Sequence, residues 1–89
     1  ALLPPHSDLE ARIIEARPGS GQQGFSGRGS QMVLVLQGQL RYTLGDEEYT
    51  LNMGDTLFYR DDMAHSWTNS GETLAVVLTV NALAGREER

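Results

Sequence analysis

Met32-Val33-Leu34-Val35-Leu36-Gln37-Gly38-Gln39-Leu40-Arg41-Tyr42-Thr43-Leu44 holds the pattern that decides the fold class. Met32 to Leu36 is a short apolar run suited to a buried strand. Leu40, Tyr42 and Leu44 then alternate with polar Gln39, Arg41 and Thr43, the period expected of a half-buried strand. Gln37-Gly38 between them predicts a tight turn. A two-residue hairpin there would set Val35 against Leu40, Val33 against Tyr42 and Gln31 against Leu44. Gln31, Val33 and Val35 would then share one face with Leu40, Tyr42 and Leu44.

The same grammar continues downstream. Gly45-Asp46-Glu47 predicts a turn, and Tyr49, Leu51 and Met53 alternate again. A turn at 52–55, a β-rich run from Thr56 to Tyr59 and a polar loop at Arg60-Asp61-Asp62 follow. His65 to Asn69 and Leu74 to Val80 read as strands around a Ser70-Gly71 turn. Upstream, Asp8 to Ala16 predicts a strand that Pro18-Gly19 stops. The five glycines within residues 18–30 predict a surface loop, whose functional reading is a lid over a pocket mouth. Gly19-x-Gly21-x-x-Gly24 matches a dinucleotide fingerprint by letters, but not by the flanking strand and helix that such a site requires. No apolar repeat at helical spacing is sustained; Ala82 to Arg89 allows one turn at most. Short strands punctuated by turns predict an all-β sandwich or barrel. The expected layout is a tether at residues 1–7, a barrel domain at 8–81 and a charged tail at 82–89.

The 89 residues allow one domain with a modest core. Seven basic against twelve acidic residues give a formal charge of −5, which disfavours direct contact with nucleic acid. The absence of cysteine removes disulfides and thiolate chemistry, and it is compatible with the cytosol. No apolar run reaches membrane-spanning length, so no membrane partner is expected.

Gly54, five residues, Arg60-x-Asp62, two residues, His65, three residues and Asn69 reproduce the spacing of a known motif. It is the second motif of the cupin family, a small jelly-roll β-barrel, which this chain resembles from about Ile13 to Val80. Arg60 and Asp62 stand where that family has Pro and Gly. Gln31 and Gly38 stand at the spacing of the Glu and Gly that end the first motif. The upstream His-x-His falls on Phe25 and Gly27, or on Gly24 and Ser26. Three of the four positions that would ligate the family's metal are therefore changed, leaving His65. That donor set predicts no metal and no other cofactor. The order of motifs is also similar to the C-terminal domains of Xre-type helix-turn-helix regulators. This implies a cytoplasmic sensor of a small organic effector, with DNA contacted only through a separate domain. A start at Ala1 fits such a piece.

The expected pocket is apolar with polar handles, built from Gln31, Val33, Tyr42, His65 and Trp67. Each has a plainer reading. Gln31 can bond backbone at a strand entrance, and His65 can be a hydrogen-bonded barrel histidine. Trp67 suits core or rim packing, and Asn69 suits a turn or strand end. No catalytic residue is assigned, and the alternative is a stand-alone small cupin isomerase or dioxygenase using His65 with unexpected partners. Met32, Leu34 and Leu36 lie opposite Val33 and Val35, with Thr43, Arg41 and Gln39 as expected neighbours. That apolar face needs a cover: the N-terminal strand, or a second copy in a homodimer to which that strand contributes.

Overall fold

The computed structural model describes residues 9–24, 29–60 and 63–82. Every regular element among them is a strand: β1 (Leu9–Ala16), β2 (Gly21–Gly24), β3 (Ser30–Gln37), β4 (Gln39–Leu44), β5 (Glu47–Asn52), β6 (Thr56–Arg60), β7 (His65–Thr68) and β8 (Ala75–Ala82). They form two four-stranded sheets, ordered β1-β8-β3-β6 and β2-β7-β4-β5. All paired neighbours are antiparallel. Among the described strands, β4 and β5 are the one pair joined as a hairpin within a sheet; every other connection carries the chain across to the opposite sheet. The all-β architecture expected from the strand pattern is present, with the jelly-roll topology that the resemblance implies. The tether at 1–7 and the tail beyond Ala82 lie outside the described residues.

Two expectations are corrected. Gln37-Gly38 makes no hairpin: β3 pairs with β6 and β8, while β4 pairs with β5 and β7. Gly38 is the corner where the chain leaves one sheet for the other. Its φ is +80°, and a Cβ there would sit 2.6 Å from the Leu74 carbonyl oxygen. An L side chain is disfavoured by both terms. A bulge beside it, between Val35 and Gln37, shifts the β3–β8 register. The second correction concerns the glycine-rich segment. Residues 21–24 form β2, which pairs with β7, so this part is a strand and not a lid. Gly21 permits the approach, since a Cβ would lie 2.8 Å from the Trp67 carbonyl oxygen. The segment's weak apolar content hid a strand whose partner supplies the packing.

The interior forms between the sheets. Val33 and Val35 from the first sheet and Leu40, Tyr42 and Leu44 from the second are buried in one cluster with Ala16, Leu51, Tyr59, Ala75 and Val77. The face-sharing expected for β3 and β4 therefore holds, but across the gap between sheets and not along a ladder. Burying a Val or Leu side chain is worth about 1.5–3 kcal/mol, so this small cluster supplies much of the drive to fold.

The outer faces differ sharply. On the second sheet, alternation puts Gln39, Arg41, Thr43, Glu48, Thr50 and Ser66 outward. On the first sheet the outward positions carry Leu9, Ala11, Ile13, Val76, Leu78, Val80, Met32, Leu34 and Phe58, bordered by the polar Glu15, Ser30, Thr56 and Arg60. The neighbours of Met32 are Phe58 and Val80, and those of Leu34 are Thr56 and Leu78, in place of the expected Thr43 and Arg41. The N-terminal strand does not cover this face, because β1 is its edge and extends it.

Candidate functional site

Polarity reverses along the inner face of the first sheet. At one end Ala16, Ala75, Val77 and Val35 point inward and are buried. Toward the other end the inward positions become Glu10, Arg12, Thr79, Asn81 and Gln31, while apolar side chains turn outward. Arg12 pairs directly with Thr79, and Gln31 with Asn81, so the four stand side by side on β1, β8 and β3. An interior built only for packing has no use for such a row.

The row forms one wall of a cavity of about 170 Å³ between the sheets. Val33, Leu40, Val77 and Ile14 make an apolar floor. The opposite wall comes from the second sheet, where Gln22, Trp67 and Tyr42 are cross-strand neighbours. His65 stands at the mouth, between Gly24 and Leu44 in its ladder. All five expected pocket residues, Gln31, Val33, Tyr42, His65 and Trp67, line this one cavity.

Two of them are tied to the fold as well. Val33 is completely buried. The Tyr42 hydroxyl lies 3.0 Å from that of Tyr59, with the rings tilted at 5.7 Å between centroids. The Tyr59 ring also lies against His65, tilted at 5.2 Å between centroids. The Nδ1–H of His65 donates to the Met63 carbonyl at 3.1 Å, because a carbonyl can only accept. This fixes the proton on Nδ1 in the neutral ring and leaves Nε2 to meet a guest.

Asn69 belongs to the scaffold. Its side chain is fully buried. Its Nδ2 donates to the carbonyls of Ala16 at 2.8 Å and Thr73 at 2.9 Å, and its Oδ1 accepts from the Gly71 N–H at 3.0 Å. It ties the end of β1 to the loop before β8, as the strand-end reading anticipates.

Asn81 differs. Its Oδ1 is buried with no hydrogen-bond donor among the described residues. A buried acceptor without a donor is unusual in a folded chain and marks a place where a guest or solvent completes the bonding. Arg12, Thr79, Asn81 and Gln22 line the cavity without having been foreseen, and Tyr59, unforeseen too, supports Tyr42 and His65 without lining it. Arg12, Thr79 and Asn81 sit on β1 and β8, which only the sheet order brings beside β3.

The donor set does not suit the metal found in the fold's usual site. Among the described residues no three His, Asp or Glu side chains cluster. Around His65 the ladder neighbours are Gly24 and Leu44, and the nearest ring is Tyr59. Gln31 offers a neutral amide, which supplies no charge to balance a cation.

The geometry agrees with comparisons to known proteins. The chain matches the sequence profile of the cupin domain over residues 12–81. No curated protein matches it by sequence. Among solved structures, the cupin domain of an XRE family transcriptional regulator from Enterobacter cloacae superposes with a TM-score of 0.81 at 18% identity, covering 86% of this chain and 83% of that one. The Cnp3 cupin domain of Schizosaccharomyces pombe gives 0.86 at 16% identity, covering 98% of this chain and 61% of the other. Iron(II) HppE in complex with substrate gives 0.74 at 20% identity, covering 83% of this chain and 45% of the other. These likenesses speak to the fold. With the profile match across most of its length, and with eight strands in two facing sheets, the chain belongs to the cupin family.

Proposed function

We propose that this cupin domain senses a small organic molecule for a cytoplasmic transcriptional regulator, and that it binds its effector without a metal. The observation that carries the reading is the cavity itself, with an apolar floor beneath a row of polar side chains that the core does not need. The likeness to an XRE regulator's cupin domain supports the regulatory context. His65 is the one imidazole among the described residues, and its ladder neighbours Gly24 and Leu44 supply no charge, which supports metal-free binding.

In this reading the domain works as a homodimer, and DNA is contacted through a separate domain. The second copy covers the outer face of the first sheet. That face carries apolar residues on all four strands, with Glu15, Ser30, Thr56 and Arg60 at its margins, whereas the outer face of the second sheet is polar. Strands spaced about 4.8 Å apart and rising about 3.3 Å per residue give it about 500 Å² per protomer, or about 1,000 Å² per pair. That reaches the size of a specific interface. The strands that carry the cavity's polar row on one side carry the dimer face on the other. A guest that orders β1, β8 and β3 therefore biases the pair directly, by its differential affinity for two arrangements.

Trp67, the one tryptophan, lines the cavity and reports on it. Titration of a broad metabolite panel is expected to change its fluorescence and to raise the melting temperature for a restricted chemical class. Silence across the panel would argue against sensing. Metal analysis of protein purified without chelator separates this reading from a cupin enzyme. Stoichiometric iron, manganese, nickel or zinc lost on His65→Ala would favour the enzyme.

A further inference from the structure

The cavity's lining carries a charge signature opposite to that of the chain. The protein is formally −5, yet among the described lining residues Arg12 is the one formally charged group and none carries a carboxylate. Glu10, on the same face of β1 and paired with Asn81, lies 4.0 Å from the Arg12 guanidinium, with the two side chains 57% and 63% exposed. At that distance and exposure the pair is weak and does not hold the guanidinium away from a better partner. A guanidinium presents its donors in a planar fork that matches a carboxylate. One cation balances one negative charge, which favours a monoanion over a phosphate dianion.

The second observation is independent of the first. Asn81 Oδ1 is buried, accepts nothing from the described residues, and lies on the same wall two positions along β8 from Thr79, the cross-strand partner of Arg12. It asks for a donor. Glu10, opposite Asn81 on β1, is largely exposed and faces Arg12 at 4.0 Å, so an ammonium there would gain little and a hydroxyl is the better fit. The floor of Ile14, Val33, Leu40 and Val77 asks for a branched apolar tail. The volume, about 170 Å³, is slightly above that of an apolar cavity of about 150 Å³ that takes benzene.

Resting on the sensor reading above, we infer that the guest is a small branched-chain hydroxy monocarboxylate. Its carboxylate meets Arg12, its hydroxyl donates to Asn81 Oδ1, and its tail enters the floor.

Calorimetric titration of the domain with four probes tests this: α-hydroxyisocaproate, its amide, isocaproate and leucine. The hydroxy acid is expected to bind, with the amide and isocaproate each weaker by about tenfold. Arg12→Gln should level acid and amide, Arg12→Lys should keep part of the preference, and Asn81→Ala should level hydroxy acid and isocaproate. Glu10→Gln should tighten the acid by a few fold. Urea midpoints of each variant separate a folding defect from a binding one. Equal binding of acid and amide to the unaltered chain overturns the assignment, as does a preference that survives Arg12→Gln. If none of the four binds while other compounds of a wider panel do, the ligand class is wrong and the pocket stands. If nothing in the wider panel binds, the sensor reading falls and this assignment falls with it.

Discussion

Asn69 shows how a motif residue can serve the barrel rather than its guest. Its amide satisfies two carbonyls and one N–H that have left the ladders at the end of β1 and before β8. Asn69→Ala removes partners from one buried and two part-buried backbone groups, at a cost of about 3 kcal/mol. A thermal melt should show a fall of roughly 15 °C, given about 4–8 °C per kcal/mol in a domain of this size. Asn69→Asp is no rescue, since it turns a second acceptor toward the carbonyls of Ala16 and Thr73. A melt unchanged by either variant would remove the scaffold role. At this scale part of the site was legible in the sequence. Gln31, Val33, Tyr42, His65 and Trp67 follow from strand parity and motif spacing, and all of them line the cavity. Tyr59 was not legible, because Leu57, Phe58 and Tyr59 are all apolar or aromatic and β6 has no alternation to set its parity. Arg12 and Asn81 were hidden for the opposite reason: the rule that apolar residues point inward turns Leu9, Ala11 and Ile13 toward a core that they in fact face away from.

Among the elements, the strands were readable and their pairing was not. Alternation at Leu40, Tyr42 and Leu44, and again at Tyr49 and Leu51, marks β4 and β5 correctly, with Gly45-Asp46 between them. Gln37-Gly38 looks equally like a hairpin turn, because a glycine at positive φ serves a hairpin and a corner alike. What distinguishes them is the neighbour that Gly38 touches, the Leu74 carbonyl, which lies far along the chain. This gives a paired prediction. Gly38→Ala meets both the backbone penalty at φ +80° and a Cβ contact at 2.6 Å, and should cost about 3 kcal/mol. Gly54→Ala has a similar φ of +91° with nothing within 4 Å, and should cost only about 1 kcal/mol. Urea unfolding of the two variants measures the difference. Equal midpoints would mean that the corner contact carries no weight.

For the whole molecule, the decisive asymmetry is between the two outer faces. Surface apolar residues are ordinary when scattered, but a contiguous apolar sheet is not. Ile13 is 59% exposed and Phe58 74% exposed, at opposite edges of the same sheet face, with Leu78, Val80, Met32 and Leu34 half-buried between them. A two-fold pairing through this face would be isologous, so each charge introduced by substitution enters the interface twice. Sedimentation velocity at tens of micromolar should therefore give a dimer for the unaltered chain. The double variant Ile13→Glu and Phe58→Glu should give a monomer with an unchanged circular dichroism spectrum, since neither side chain supports the core. Thr50→Glu, on the polar outer face of the other sheet, should leave the dimer intact. A monomer in the unaltered chain would remove the second copy as the cover. A dimer that survives the double variant would place the contact elsewhere. If the dimer holds, the ligand probes that bind the cavity should also shift its dissociation constant, because β1, β8 and β3 carry the guest on one side and the partner on the other.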